Sequence, residues 1–96
     1  MAPARATTTT TIDDDRVRVT VWTFDGDGDE TGQHEHQYDY VVVPVTGGSF
    51  TVVGPDGAVS RRTQEAGVPY RGAAGTRHNV VNAGGVPATF VELELK

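Results

Sequence analysis

Apolar and polar side chains alternate with a period of two along most of the chain. From Arg16 to Phe24, Val17, Val19, Val21 and Thr23 fall on one side, and Arg18, Thr20, Trp22 and Phe24 on the other. That is the pattern of a half-buried strand. From His34 to Val45 the alternation continues. His34, His36, Tyr38, Tyr40 and Val42 share one face, and Val41, Val43 and Val45 share the opposite face. Both faces carry large side chains, so one long strand covered on both sides is expected. Shorter β-prone runs follow at Phe50–Val53, Ala58–Gln64, Arg77–Val81 and Ala88–Lys96. In the last of these, Val91, Leu93 and Leu95 oppose Phe90, Glu92 and Glu94. Gly47-Gly48, Pro55-Asp56-Gly57 and Asn82-Ala83-Gly84-Gly85 read as turns, and Gly67-Val68-Pro69-Tyr70 opens a further strand-and-turn segment. No segment reads as a helix. Many short strands at regular spacing predict an all-β sandwich or barrel.

Composition reinforces this. Valine dominates the apolar set, threonine is abundant, and leucine occurs only at Leu93 and Leu95. β-Branched residues favour pleated sheet, and 12 glycines and 5 prolines supply turns. With 96 residues the chain is one domain. A domain this small buries only about 60% of its unfolded surface, and there is no cysteine to staple it. A bound metal or a dimer interface would relieve that shortage. Residues 1–12 are low-complexity and Thr-rich, and are expected to form a loosely docked arm able to add to a sheet edge. Residues 13–96 are expected to form the barrel. Thirteen acidic against eight basic residues give a net charge of −5, which argues against nucleic-acid or anionic-membrane partners. No apolar run approaches a membrane span, and no secretory leader is visible, so a soluble, cytoplasmic protein is expected.

The acidic loop Asp25–Gly32 invites a calcium reading. However, Glu30 stands where an EF-hand loop needs glycine, and His36 falls where it needs glutamate. A solvated loop is the better reading.

All three histidines belong to two short segments, His34-Glu35-His36 and Gly75-Thr76-Arg77-His78-Asn79-Val80-Val81-Asn82. Positions two apart in a strand project to one side. His34 and His36 therefore point together, and His78 from a distant strand can complete one face of an ion. Imidazole suits Zn, Cu, Fe and Ni, and sites with few protein ligands are of the open, catalytic kind. A mononuclear metal centre inside a small β-barrel is the economical reading.

These segments resemble the cupin superfamily. Its first motif, G-x5-H-x-H-x3,4-E-x6-G, is matched in every spacing by Gly28, His34, His36, Tyr40 and Gly47, with Tyr40 in the glutamate position. Its second, G-x5-P-x-G-x2-H-x3-N, is matched by Gly67, Ala73, Gly75, His78 and Asn82, with alanine for proline. More closely, Arg16–Thr20, Asp39–Pro44, Ala66–Tyr70 and Phe90–Glu92 are similar to small single-domain cupins associated with β-alanine degradation. The resemblance implies a double-stranded β-helix (jelly-roll) barrel, often dimeric. It implies His34, His36 and His78 as metal ligands, and turn roles for Gly47, Gly75 and Asn82.

The motif glutamate, which usually completes the ligand set, is missing. Asp39 would substitute only if a bulge swung it inward. Glu92 or Glu94 would have to approach across the barrel, and Tyr40 would ligate directly or bond a bound water. Three neutral imidazoles leave a divalent ion its full charge, so the centre should favour anionic chelating substrates. Relatives with three-histidine centres include oxygen-using iron enzymes. A metal-dependent enzyme on a small anionic organic substrate is therefore expected, with dioxygenation leading, isomerase or lyase chemistry next, and a non-catalytic binding cupin as the alternative. Fe(II) is the expected ion, with Mn, Ni or Zn as alternatives. Tyr38, Tyr40 and Tyr70 are expected to line the pocket, Arg71 or Arg77 to hold a substrate carboxylate, and Trp22 to sit in the core or an interface.

Overall fold

A computed structural model describes residues 4–96. Among them lie nine strands and no helix: β1 (Thr7–Asp13), β2 (Val17–Phe24), β3 (His34–Glu35), β4 (Asp39–Pro44), β5 (Gly48–Val53), β6 (Val59–Gln64), β7 (Tyr70–Gly72), β8 (Arg77–Asn82) and β9 (Ala88–Leu95). They form two antiparallel sheets, one ordered β1-β2-β9-β4-β7 and the other β3-β8-β5-β6. The all-β class and the double-stranded β-helix arrangement are those expected.

One expectation is decided and one corrected. Where it is described, the Thr-rich arm takes the sheet-edge course open to it rather than docking loosely. Thr7–Asp13 is an edge strand paired with β2 from Thr7↔Thr23 to Asp13↔Arg18, with an irregularity between Thr10 and Ile12. Threonine carries the β-branched preference without the apolar signal. The remainder of that arm expectation, on residues 1–3, lies outside the described residues.

The long strand over His34–Val45 is also two strands in different sheets. β3 pairs with β8 in register His34↔His78, whereas β4 sits between β9 and β7. The chain crosses between sheets over His36–Tyr38. Pairing survives one residue past β3, because the His36 N–H donates to Thr76 O at 2.9 Å and the Gly75 N–H to His36 O at 2.7 Å. Gly75 holds φ at +85°, a left-handed turn conformation that glycine adopts without penalty.

The core between the sheets is Phe24, Tyr40, Val42, Phe50, Ala88 and Phe90. Phe24 meets Phe50 and Phe90 at ring-centroid distances of 5.1 and 5.6 Å. The inward face of β2 is therefore the Thr20–Trp22–Phe24 face, and that of β9 is the Phe90–Glu92 face. Val17, Val19 and Val21 of β2, Val41 and Val43 of β4 and Val91 of β9 look outward. Cover on both faces of β4 is not supplied by the chain itself, since Val41 and Val43 are half-buried and Val45 is 56% exposed.

One buried polar hub closes the end of the barrel. Asn82 donates through Nδ2 to Gly26 O (3.1 Å) and Val86 O (2.7 Å) and accepts from the Gly84 N–H (3.0 Å). Asp29 accepts from the Asp25 and Gly26 N–H groups at 2.8 and 3.2 Å. The acidic loop is thus held by backbone capping.

Candidate metal centre

The cross-strand register His34↔His78 puts two imidazoles side by side, and the first residue past β3 adds the third. Ring nitrogens meet at their tips: His34 Nε2 and His78 Nε2 each lie 3.1 Å from His36 Nε2. Nitrogens bound about 2.0–2.1 Å from one ion stand roughly 2.8–3.4 Å apart in octahedral or tetrahedral sites. The three donors therefore fit a single divalent ion, and the group could hold one.

The surroundings favour that state. His34 Nδ1 lies 2.8 Å from Gly32 O, so the proton assigned to Nδ1 leaves the Nε2 lone pair facing the cluster. Burial, and then the neighbouring charges of His34 and His78, push His36 down to about 4. Burial, then the charges of His34 and Arg62, push His78 down to about 4 as well. Both rings are neutral at pH 7, as ligation requires.

Tyr40 supports the cluster from below. Its ring is stacked on His36 at 3.8 Å between centroids and 19° between planes. A Cβ at Gly72 would collide with Cζ and the hydroxyl of Tyr40. Glycine at position 72 is what admits the tyrosine, which props the imidazole in place. Burial, and next the charge of Glu92, raise its phenol further above 10.

The acidic candidates separate clearly. Glu92 comes across the barrel: its Oε1 lies 3.8 Å from His36 Nδ1, with the side chain 8% exposed. Burial, then the charge of Glu94, lifts it to about 7. Glu94 is taken by Arg18 at 3.1 Å. Asp39 points outward and accepts the Ala74 N–H at 2.9 Å, so no bulge carries it to the histidines.

A cavity of about 310 Å³ opens from the cluster toward the free sheet edges β6 and β7. His34, His78 and Glu92 line its inner end, and Tyr40 and Tyr70 its wall. Among the aromatic and arginine candidates, Arg71 reaches the rim, whereas Tyr38 is not part of the lining. Exposed Arg77 pairs with Glu35 instead. Trp22 lines the cavity and stacks on His34 at 6.1 Å.

Sequence reading missed Arg61 and Arg62, both in the lining. They stand in a strand exposed along nearly its whole length. Only the pairing Phe50↔Arg62 shows that Arg62 shares the inward row.

No family model matches the chain, and no curated protein does. Solved structures do. A cupin domain from Bordetella pertussis Tohama I is 41% identical, with a TM-score of 0.92 over 100% of this chain and 98% of that one. An RmlC-like cupin with a double-stranded β-helix fold from Methanocaldococcus jannaschii is 10% identical, with a TM-score of 0.77 over 94% of this chain and 79% of that one. A cupin superfamily protein from Desulfitobacterium hafniense DCB-2 is 15% identical, with a TM-score of 0.72 over 99% and 81%. The last two likenesses concern the fold alone. The first, end to end and at 41% identity, establishes that this chain belongs to the cupin superfamily.

Proposed function

We propose that the chain binds one divalent transition metal through His34, His36 and His78 and acts as an enzyme on a small anionic organic substrate. The observation that carries this is the meeting of three Nε2 atoms about 3 Å apart beside a cavity of about 310 Å³. When bound, the ion would supply Lewis acidity and open positions on which a substrate is oriented. Fe(II) and dioxygenation are the leading assignment, with Mn, Ni or Zn, and isomerase or lyase chemistry, behind it.

The protein's own contribution is orientation and charge. Tyr40 fixes the plane of His36 from one side. Glu92 faces its Nδ1 from the other, the place from which carboxylates orient metal-bound histidines and raise their basicity. Glu92 thus returns beside the ligand the negative charge that the first motif lacks at Tyr40. Trp22, Tyr70, Val52 and Val80 shield the cavity from water. The motif likeness to small cupins associated with β-alanine degradation supports a small carboxylic acid as substrate.

A cytoplasmic homodimer is the proposed assembly. Its support is the outward face of β2, β9 and β4, where Val19, Val21, Val91, Leu93, Val41 and Val43 form a continuous apolar surface in register. Ile12 and Leu95 extend it, at 48% and 41% exposure.

Elemental analysis of untagged protein tests the centre. About one metal per chain is expected, and His36→Ala should abolish it. Wild-type protein that stays metal-free and ignores added Fe(II), Mn or Ni would sink the enzyme reading in favour of a non-catalytic binding cupin. Oxygen uptake by iron-loaded protein with small carboxylates, thiols and β-diketones then separates oxygenation from isomerase or lyase chemistry.

A further inference from the structure

The cavity is polarised along its length. Its inner end holds His34, His78 and Glu92, which is the sole carboxylate of the lining. Its rim, at the free edges β6 and β7, holds Arg61, Arg62 and Arg71. Between them the wall is largely apolar, with Trp22, Val42, Phe50, Val52, Val80 and Phe90.

Of the eight basic residues, Arg18, Arg77 and Lys96 pair with carboxylates, whereas among the described residues Arg5 and Arg16 do not, and they lie off the cavity. Among the described residues, Arg61, Arg62 and Arg71 do not pair with any carboxylate; they converge on a cavity instead. Arg62 is further positioned, with its guanidinium carbon 4.3 Å from the Tyr70 ring centroid. A guanidinium stacked on an aromatic face is steadied while its N–H edge remains free for a planar anion.

We infer that Arg62 and Arg71 form a carboxylate-binding rim, and that the ligand is a small organic acid held at both ends, one donor group at the histidine centre and a carboxylate at the arginines. The inference rests on the proposed metal reading for its inner end only. Guanidinium matches carboxylate and phosphate alike; carboxylate is favoured because no helix N-terminus, the usual partner of phosphate, occurs among the described residues. The apolar stretch selects methylenes or a small ring between the two ends. A cavity of about 310 Å³ sits at the small end of the range for ligand sites.

Trp22 is the single tryptophan of the chain and lies in the cavity wall, so its fluorescence reports occupancy. Titrate manganese-loaded and metal-free protein with malonate, succinate, glutarate and adipate, with the diamide of each, and with inorganic phosphate. At least one diacid should saturate the Trp22 signal of the loaded protein, about tenfold more tightly than its diamide. The Arg62→Gln/Arg71→Gln double variant should lose that preference while keeping wild-type metal content. Arg16→Gln, in the turn before β2, should keep it. Unchanged affinity in the double variant, tighter binding of phosphate than of every diacid, or no saturation by any acid in either form would overturn the rim assignment. A protein that takes up no metal yet prefers acid to amide, in an arginine-dependent way, would refute the metal centre and uphold the rim.

Discussion

The two faces of the five-stranded sheet have nearly the same alternation and opposite fates. Inward from β2, β4 and β9 point Phe24, Tyr40, Val42 and Phe90, with Glu92 among them, and all are buried. Outward point Val19, Val21, Val41, Val43, Val91 and Leu93, which the chain leaves half-covered. Both faces are apolar, so hydrophobicity does not decide which becomes the core. Size does. Two sheets stand about 10 Å apart, and aromatic rings fill that gap where valines would leave voids. The face that closes the barrel is therefore the aromatic one. The valine face is left half-covered by the described residues.

Truncation should separate the faces most strongly. Phe24→Ala removes a ring of the inward face that is 0% exposed and packed on Phe50 and Phe90. A cost of about 3–5 kcal/mol is expected from urea denaturation. Val43→Ala on the outer face should cost about 1 kcal/mol if that face meets only solvent. Val43→Asp sharpens the comparison. In a homodimer packed through this face it should halve the mass measured by sedimentation equilibrium and make wild-type stability, but not the variant's, rise with protein concentration. A wild-type chain monomeric at 100 µM removes the dimer and leaves the outer valines a solvent-facing surface.

Much of this was legible in the chain, and what was not has a physical cause. The histidines and the strands carry local signals, namely spacing, period-two alternation and glycine turns. The break over His36–Tyr38 does not, because alternation runs unbroken through a crossing between sheets, and only the partners of β3 and β4 differ. Glu92 and Arg62 acquire their places from pairing across the barrel. Glu92 stands opposite Thr20 and Val42, and Arg62 opposite Phe50. No neighbour in sequence distinguishes Glu92 from Glu94, yet one faces His36 and the other pairs with Arg18. Tyr40 was expected to line the pocket. Its stacking on His36 depends on Gly72, which falls at an unspecified position of the second motif.

That dependence gives the next largest effect. Gly72→Ala should act on the inner face alone, since the added methyl collides with the Tyr40 ring. Displacing the ring unseats the plane of His36, so metal affinity should fall about 10- to 100-fold, as when an outer-shell partner is lost. Tyr40→Phe, which keeps the ring and removes the hydroxyl, should retain most of the affinity. Isothermal titration with Mn or Ni measures both. Equal losses in the two variants would mean that the hydroxyl, not the stack, matters.

The smallest effect is in pH, and its sign follows from the same buried face. In the metal-free fold His36 and His78 titrate near 4, against 6.5 for free imidazole. Between those values the unfolded chain binds two protons that the fold refuses, so stability falls as pH drops from 6.5 toward 4. Glu92 acts in the opposite sense. Its value is raised from 4.5 to about 7, so its contribution is fully present below 4.5 and is lost as pH rises through 7. Two groups outweigh one, and the metal-free protein should be less stable at pH 5 than at pH 6.5. Asp13 and Asp14 stay out of this window. The Lys96 hydrogen bond lowers the first and the Val17 N–H lowers the second, both from 3.8. Glu92→Gln removes the opposing group and should steepen the loss on the acid side. Urea midpoints at pH 5.0, 5.75 and 6.5 in the presence of EDTA give both slopes. A flat profile in the wild type, together with an unchanged one in Glu92→Gln, would mean that these rings and this carboxylate are solvated in the working protein rather than held dry between the sheets.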